Sequence, residues 1–307
     1  MSKDLILPQL HGVLVLNKPK GPTSNFCLQK IKRLGQKKIG HAGTLDPMAS
    51  GVLLCLLGQA TKLSNYLMQQ GSKIYKGTIL LGQTTDTWDL EGQVLQKNDL
   101  SPLSIETLYA EIAAWVDLKE QPVPPYSAAK LNGQPLYKMA RSGQMIERTK
   151  TIHIFKTELI SYEHPYVNFR VTCSTGTYIR SLAHSLGMRL GCGAVLADLV
   201  REYSYPFGLD SAIELDKLLA DPSKLLPSLQ PIRNALPTWP VLDLPKSWER
   251  SVLNGQSIPL DVLPKVPDSI TQAILMSSGC ELALVQREIL GATSVWRVTR
   301  GLWNSPK

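Results

Sequence analysis

The sequence predicts an α+β protein, and three observations carry that expectation. Strand-like alternation at 75–81 and at Val167, Phe169, Val171 and Cys173 shares the chain with helical apolar stripes at 24–34, 104–116 and 179–190. A proline-dense stretch, Leu236-Pro237-Thr238-Trp239-Pro240, interrupts the chain, and short alternating pieces that suit a small β domain follow it. At 307 residues the chain can fill one large or two ordinary domains, and no internal repeat or low-complexity tract disturbs that reading.

In chain order, Val13-Leu14-Val15-Leu16 reads as a strand that stops at the turn-rich segment Asn17-Lys18-Pro19-Lys20-Gly21-Pro22. Thr23 or Ser24 can cap a helix to about Leu34, with Phe26, Cys27, Ile31 and Leu34 on one side and most of its Lys and Arg on the other. A glycine-punctuated loop at 40–51 leads into Val52-Leu53-Leu54-Cys55-Leu56-Leu57, a buried strand by its apolar run, and 61–70 reads as a helix. In the strand at 75–81, Tyr75, Gly77, Ile79 and Leu81 share one face. A short strand at 93–96 follows an acidic stretch, and Ile105, Leu108, Ile112, Trp115 and Val116 give an amphipathic helix over 104–116.

From 121 to 149 the character changes. Prolines open the segment, Gly133, Pro135 and Gly143 interrupt it, and its charge is mostly basic, as in an excursion that grips a ligand; an irregular surface loop reads the same way. After the strand at 167–173, Ser174-Thr175-Gly176-Thr177 turns the chain. Ile179, Leu182, Ala183, Leu186 and Leu190 then follow a helical stripe that Gly191-Cys192-Gly193 ends, which puts Arg180 near a helix N-terminus at the edge of a strand.

The formal net charge of +8 and a pI near 9.2 favour a polyanionic partner, and the clustering sharpens this. Between Asp4 and Asp46 lie Lys18, Lys20, Lys30, Lys32, Arg33, Lys37 and Lys38 with no acid among them. A second cluster, Lys130, Lys138, Arg141, Arg148 and Lys150, is set against Glu147 alone. Cysteines 27, 55, 173, 192 and 280 form no C-x-x-C pair, and histidines 11, 41, 153, 164 and 184 no H-x-x-x-H pattern, so neither a zinc site nor another metal cofactor is expected. With no signal peptide and no membrane-length apolar run, the expected location is the cytoplasm.

Asp46 stands out chemically. Gly40, Gly43 and Gly51 let the backbone of its loop approach a ligand closely, and Pro47 disfavours helix at Asp46. A lone carboxylate among so many cations is held in its charged form. This suits a nucleophile facing a polyanion; a turn whose Asp caps a neighbouring N–H is the plain alternative.

The run Gly40-His41-Ala42-Gly43-Thr44-Leu45-Asp46-Pro47-Met48-Ala49-Ser50-Gly51 resembles the nucleophile motif of the bacterial tRNA pseudouridine synthase B family. Further stretches match in order: 17–24, Lys73-Ile74-Tyr75-Lys76-Gly77, Gly82-Gln83-Thr84-Thr85-Asp86-Thr87, Pro124-Pro125-Tyr126-Ser127-Ala128 and Gly176-Thr177-Tyr178-Ile179-Arg180. The likeness is good over roughly 10–210 and weak in the last hundred residues. It implies a catalytic domain at 1–237, built on a mixed, largely antiparallel sheet with flanking helices, and an RNA-gripping thumb at about 122–149. A small PUA-like β domain would follow at 238–307. The implied reaction isomerises uridine 55 in the T loop of tRNA to pseudouridine, with no cofactor, no metal and no obligatory protein partner.

By the same resemblance Asp46 is the nucleophile, Arg180 pairs with it, and Tyr75 stacks on the target base near C5. His41 enters the space that the flipped nucleotide leaves, Tyr178 and Leu199 line the uracil pocket, and Lys18 and Lys62 are basic positions close to the cleft. An Arg suits the pairing because its planar fork fits a carboxylate, and a cation at a helix start calls for a specific partner. Attack at C1′, attack at C6 of uracil and a glycal route all fit these residues. Two other functions fit the same resemblance: a tRNA-binding folding chaperone with secondary catalysis, and a synthase acting on another RNA.

Overall fold

The computed structural model describes residues 7–303 apart from 128, 132, 143, 145 and 292. Ala128 therefore lies outside the described residues, as do the side chains of Lys130 and Arg141 in the second basic cluster.

Seven strands form the spine of the main sheet. They are β1 (Gly12–Lys18), β2 (Ala49–Leu57), β3 (Ser72–Leu81), β4 (Ile154–Glu163), β5 (Tyr166–Ser174), β6 (Ala194–Ser204) and β7 (Ile213–Glu214), in the spatial order β4-β5-β3-β6-β2-β1-β7. Short strands at Ile39–Ala42, Phe207–Gly208 and Leu229–Gln230 pair onto its members. β6 runs parallel to β2 and β7 parallel to β1, while the other neighbours along the spine are antiparallel, so the sheet is mixed and largely antiparallel.

The continuous apolar runs of β1 and β2 have a simple cause: both faces of the sheet are covered. On one face Leu14, Leu16, Leu53, Cys55 and Leu57 belong to a core that runs under three helices, α1 (Ser24–Arg33), α3 (Ile179–Arg189) and, over the β4 edge, α2 (Ile105–Ala113). On the other face Val13, Val15, Val52, Leu54 and Leu56 meet Trp239 and the C-terminal sheet through Ile274, Leu284 and Leu302.

That second sheet consists of β8 (Val241–Asp243), β9 (Ile258–Pro259), β10 (Gln272–Ser277), β11 (Cys280–Leu290) and β12 (Thr293–Gly301), ordered β8-β10-β11-β12-β9. It closes around Leu242, Val252, Leu275, Val285 and Trp296 as a PUA-like half-barrel. No helix among the described residues is long and apolar enough to cross a membrane.

Several local expectations need revision. Phe26 is 48% exposed: α1 turns Cys27, Leu28 and Ile31 inward, and Lys30 Nζ lies 5.1 Å from the Phe26 ring centroid. The helix expected over 61–70 is a 3₁₀ segment, Gly58–Leu63, followed by a short α-helix, Ser64–Gln69. α2 stops at Ala113 and tightens to 3₁₀ over Ala114–Asp117; this carries Trp115 into the core and leaves Ile105 and Val116 outside. β4 and β6 went unpredicted. Polar residues break the alternation of β4, and β6 carries Asp198, Arg201 and Glu202, which disguise a strand at the centre of the sheet.

Candidate active site

Asp46 lies between β1 and β2 on a loop clamped from both flanks. Ser24, the first residue of α1, accepts a hydrogen bond from Leu45 N and donates one to Leu45 O, both 2.9 Å. Arg201 of β6 is fully buried and donates to three carbonyls, Val52 at 2.6 Å, Gly43 at 3.0 Å and Thr44 at 3.3 Å. Beyond the acid, Gly21 N donates to Pro47 O at 2.8 Å. The parallel register Leu199↔Ala49, Val200↔Ser50, Arg201↔Gly51 holds this end of β2 to the centre of the sheet. Gly51 is required there: its φ is +103°, and an added Cβ would meet the Arg201 backbone.

Arg180 approaches Asp46 from the first turn of α3. Its Nε lies 3.0 Å from Asp46 Oδ2, at an angle that makes the contact ionic rather than a well-directed hydrogen bond. Its Nη1 donates to Thr87 O at 3.0 Å and meets Asp89 Oδ2 at 3.3 Å, and its Nη2 donates to Tyr126 O at 3.1 Å. The Arg180 and Asp89 side chains are 5% and 6% exposed against 36% for Asp46, so the inner pair is structural in character and the outer carboxylate is open to a ligand. Asp89 is itself satisfied by Thr87 Oγ1 at 2.6 Å and Glu91 N at 3.1 Å. Burial, together with the charges of Asp89 and Asp46, pushes the nearby Glu91 carboxyl above its ordinary value.

A cavity of about 520 Å³ opens in front of Asp46. Tyr75, Tyr178, Leu199 and Arg180 line it, and the 121–149 excursion forms one wall through Val123, Ser127, Ala129, Arg148 and Thr149. A two-stranded ribbon, Glu120–Pro122 against Thr149–Thr151, closes the neck of that excursion. Burial raises the Tyr75 phenol, with the Arg201 charge pulling the other way; burial also raises Tyr178. Gln121 exchanges two hydrogen bonds with the Tyr178 backbone, at 2.6 and 2.9 Å, and so ties the neck to the start of α3.

Of the residues singled out from sequence, the structure brings Asp46, Arg180, Tyr75, Tyr178 and Leu199 to this one cavity. Lys18 stands behind it, fully buried, its ammonium donating to the carbonyls of Pro19, Pro22 and Pro47 at 2.8, 2.7 and 3.3 Å. As placed, it braces the Asp46 loop from inside and presents no charge to a surface ligand. His41 is half-buried on the strand Ile39–Ala42; burial and the charges of Arg201 and Lys73 push it below its ordinary value, which leaves a neutral imidazole. Lys62 donates to the Gly301 carbonyl of β12, and Tyr66 Oη lies 3.4 Å from Thr299 Oγ1, so this end of the chain fastens the C-terminal sheet.

Sequence reading missed Ser24, Lys73, Asp89, His184 and Arg201. Ser24, Lys73 and Asp89 lay within or beside matched or acidic stretches, but nothing in their spacing marked them. Arg201 follows the apolar pair Leu199-Val200, but Glu202 beside it makes the two charges read as a solvated edge.

Residues 31–179 match the family model described as TruB family pseudouridylate synthase (N terminal domain). The tRNA pseudouridine synthase B of Oleidesulfovibrio alaskensis is 54% identical over 307 residues, covering 98% of this chain and 99% of that one. The tRNA pseudouridine synthase B of Nitratidesulfovibrio vulgaris strain Miyazaki F is 52% identical over 305 residues, covering 97% and 99%. Among solved structures, a Cbf5-Nop10-Gar1 complex contains a chain with the same fold, at a TM-score of 0.70 and 24% identity, covering 95% of this chain and 85% of that one.

Proposed function

The chain belongs to the TruB family of pseudouridylate synthases, and we propose that it isomerises uridine 55 in the T loop of tRNA, with Asp46 as the nucleophile. The observation that carries this reading is the open Asp46 carboxylate at the cavity mouth, 3.0 Å from an Arg180 that is itself anchored by Asp89. The guanidinium aims the carboxylate, and the loose angle of the contact leaves its oxygens able to turn toward a sugar or a base.

The reaction detaches uracil from C1′, turns it and rejoins it through C5. Nothing is oxidised and no phosphoryl group moves, so the work falls to a nucleophile and to walls that retain the free base. Tyr75 and Leu199, diagonal neighbours on adjacent strands, supply an apolar wall, and Tyr178 lines the same cavity. A stacked T-loop uridine must first be extracted, at about a few kcal/mol. Phosphate contacts from α1 and the 122–149 thumb offset that cost. We take 1–237 as the catalytic domain and 238–307 as the PUA-like domain, and the cytoplasm as the place where the substrate is met.

Incubation with an unmodified T-arm stem-loop, followed by mapping of pseudouridine at every uridine, tests the reading. Product at position 55 alone is expected. Product at another uridine, or none, overturns the assignment.

A further inference from the structure

One charged group in the cavity wall has no role in the chemistry described above. Lys73 lies two residues before Tyr75 on β3 and so points to the same face. It is 8% exposed and lines the cavity. Among the described residues its ammonium makes no ion pair and no hydrogen bond. The groups around it give it no counter-charge: Arg201 from β6, Lys150 from the ribbon, the neutral Cys173 of β5 and the neutral His41. A largely buried ammonium without a partner is costly, and this one lines the cavity, where an anionic ligand would complete it.

The surroundings say what that ligand is. Gly43 and Gly176 sit at this end of the cavity with φ of +86° and +79°. An added Cβ on Gly43 would come 2.7 Å from Lys73 Nζ, and one on Gly176 would meet Lys150 Nζ. Two lysine heads thus press against two glycines, with Thr44, Thr175 and Thr177 beside them. Cations, hydroxyls and bare backbone, with Asp46 as the one acid of the lining and already paired with Arg180, make an oxyanion cradle.

We infer that Lys73 and Lys150, with Gly43 and Gly176, form a subsite for one phosphate flanking the target uridine, and that Lys73 takes up a proton from solvent when that phosphate binds. The inference rests on the RNA reading above. In the free protein, burial and then the Arg201 charge push Lys73 down to about 7, so at pH 8 it is mostly an amine. A bound phosphate replaces the missing counter-charge and favours the ammonium. Between about pH 7 and the higher value of the complex, affinity then falls as pH rises, by up to tenfold per pH unit; below that window it is flat.

The test uses T-arm stem-loops carrying a single neutral methylphosphonate on either side of the target uridine, with the full chain and its Lys73→Met and Lys73→Arg variants. For the wild type, one of the two methylphosphonates weakens binding about tenfold and removes the pH dependence above 7. Lys73→Met is indifferent to that same methylphosphonate and shows no proton uptake in calorimetry across buffers of different ionisation enthalpy. Lys73→Arg keeps the sensitivity to the methylphosphonate and loses the uptake. Unfolding of Lys73→Met at pH 7 serves as the folding control, and its midpoint is no lower than that of the wild type, since the change removes a buried charge. Equal sensitivity of wild type and Lys73→Met to both methylphosphonates, or unchanged proton uptake in Lys73→Met, overturns the subsite. Failure of the RNA reading is seen separately, as absence of product from the unsubstituted stem-loop with wild-type protein.

Discussion

Arg180 and His184 stand one helical turn apart on α3 and hold the same loop from two sides. Arg180 takes the Thr87 carbonyl and the Asp89 carboxylate, while the His184 ring stacks on Trp88 with centroids 4.3 Å apart and planes within 2°. Trp88 reaches the stack in a left-handed conformation, φ 64°, which a bulky residue adopts only when its surroundings enforce it. Burial keeps His184 below its ordinary value, so the stack is between neutral rings at physiological pH. The loop that steadies Arg180 is thereby fixed to the helix that carries Arg180.

Removing that support should be felt at a distance from the substrate. Asp89→Asn leaves Arg180 with Asp46 as its one carboxylate partner and should lower stability by about 3 kcal/mol, as breaking a buried ion pair does. It should also slow pseudouridine formation more than tenfold with little change in tRNA affinity. Denaturant unfolding and single-turnover kinetics read the two effects. A variant as stable and as fast as the wild type would remove Asp89 from the supporting role.

Asp46→Asn should abolish pseudouridine formation and leave tRNA binding within about tenfold, because binding comes mostly from phosphate contacts. The same variant separates catalysis from any help it gives to tRNA folding: help that survives the substitution is a binding activity in its own right. Product formed near the wild-type rate rules Asp46 out as the nucleophile.

For Tyr75, Phe should be less damaging than Leu if the ring stacks on the base. If the phenol also removes the C5 proton, the Phe variant should accumulate rejoined, C5-protonated product, which has the mass of pseudouridine and is recognised by the deuterium it retains from a C5-deuterated uridine substrate. Equal and mild defects in both variants would exclude both roles.

Binding should weaken linearly in log affinity against log salt as counterions are released. Lys37 and Lys38 are exposed just beyond α1. Changing both to Glu should weaken binding and reduce the slope without altering which uridine is modified. An unchanged slope places them outside the RNA footprint.

Gly51→Ala should cost about 2 kcal/mol or more, from the left-handed backbone and the collision with the Arg201 backbone together. Because Arg201 holds the Asp46 loop, activity should fall further than the loss of folded protein explains. Thermal unfolding beside specific activity separates the two contributions.

The parts of this protein that were legible in sequence are those with local signals. α1 announced itself by its Thr23 cap, whose side chain accepts from Phe26 N at 3.1 Å, and α3 by its stripe and terminal glycines. The exposed face of α1 was misread because a ten-residue helix leaves room for a large apolar side chain on either side of the stripe. Asp46 and Arg180 were visible through their ordered motifs. The supports were not, because Asp89 and Arg201 do their work by pairing across the fold with residues far away in the chain. Lys18 illustrates the limit: its residue type suggests a surface phosphate contact, and only the packing around it turns it into a buried brace.

The parallel pairing of β6 with β2 has a consequence in time. The Asp46 loop is made early in synthesis, while Arg180, Leu199 and Arg201, which aim it, wall it and clamp it, emerge much later. A growing chain therefore carries the basic α1 well before the Asp46 carboxylate has its Arg180 partner. Closing so distant a contact is also a slow event in folding. Catalytic competence should then wait for β6, and pseudouridine formation by nascent chains arrested short of β6 should be absent even where those chains bind tRNA.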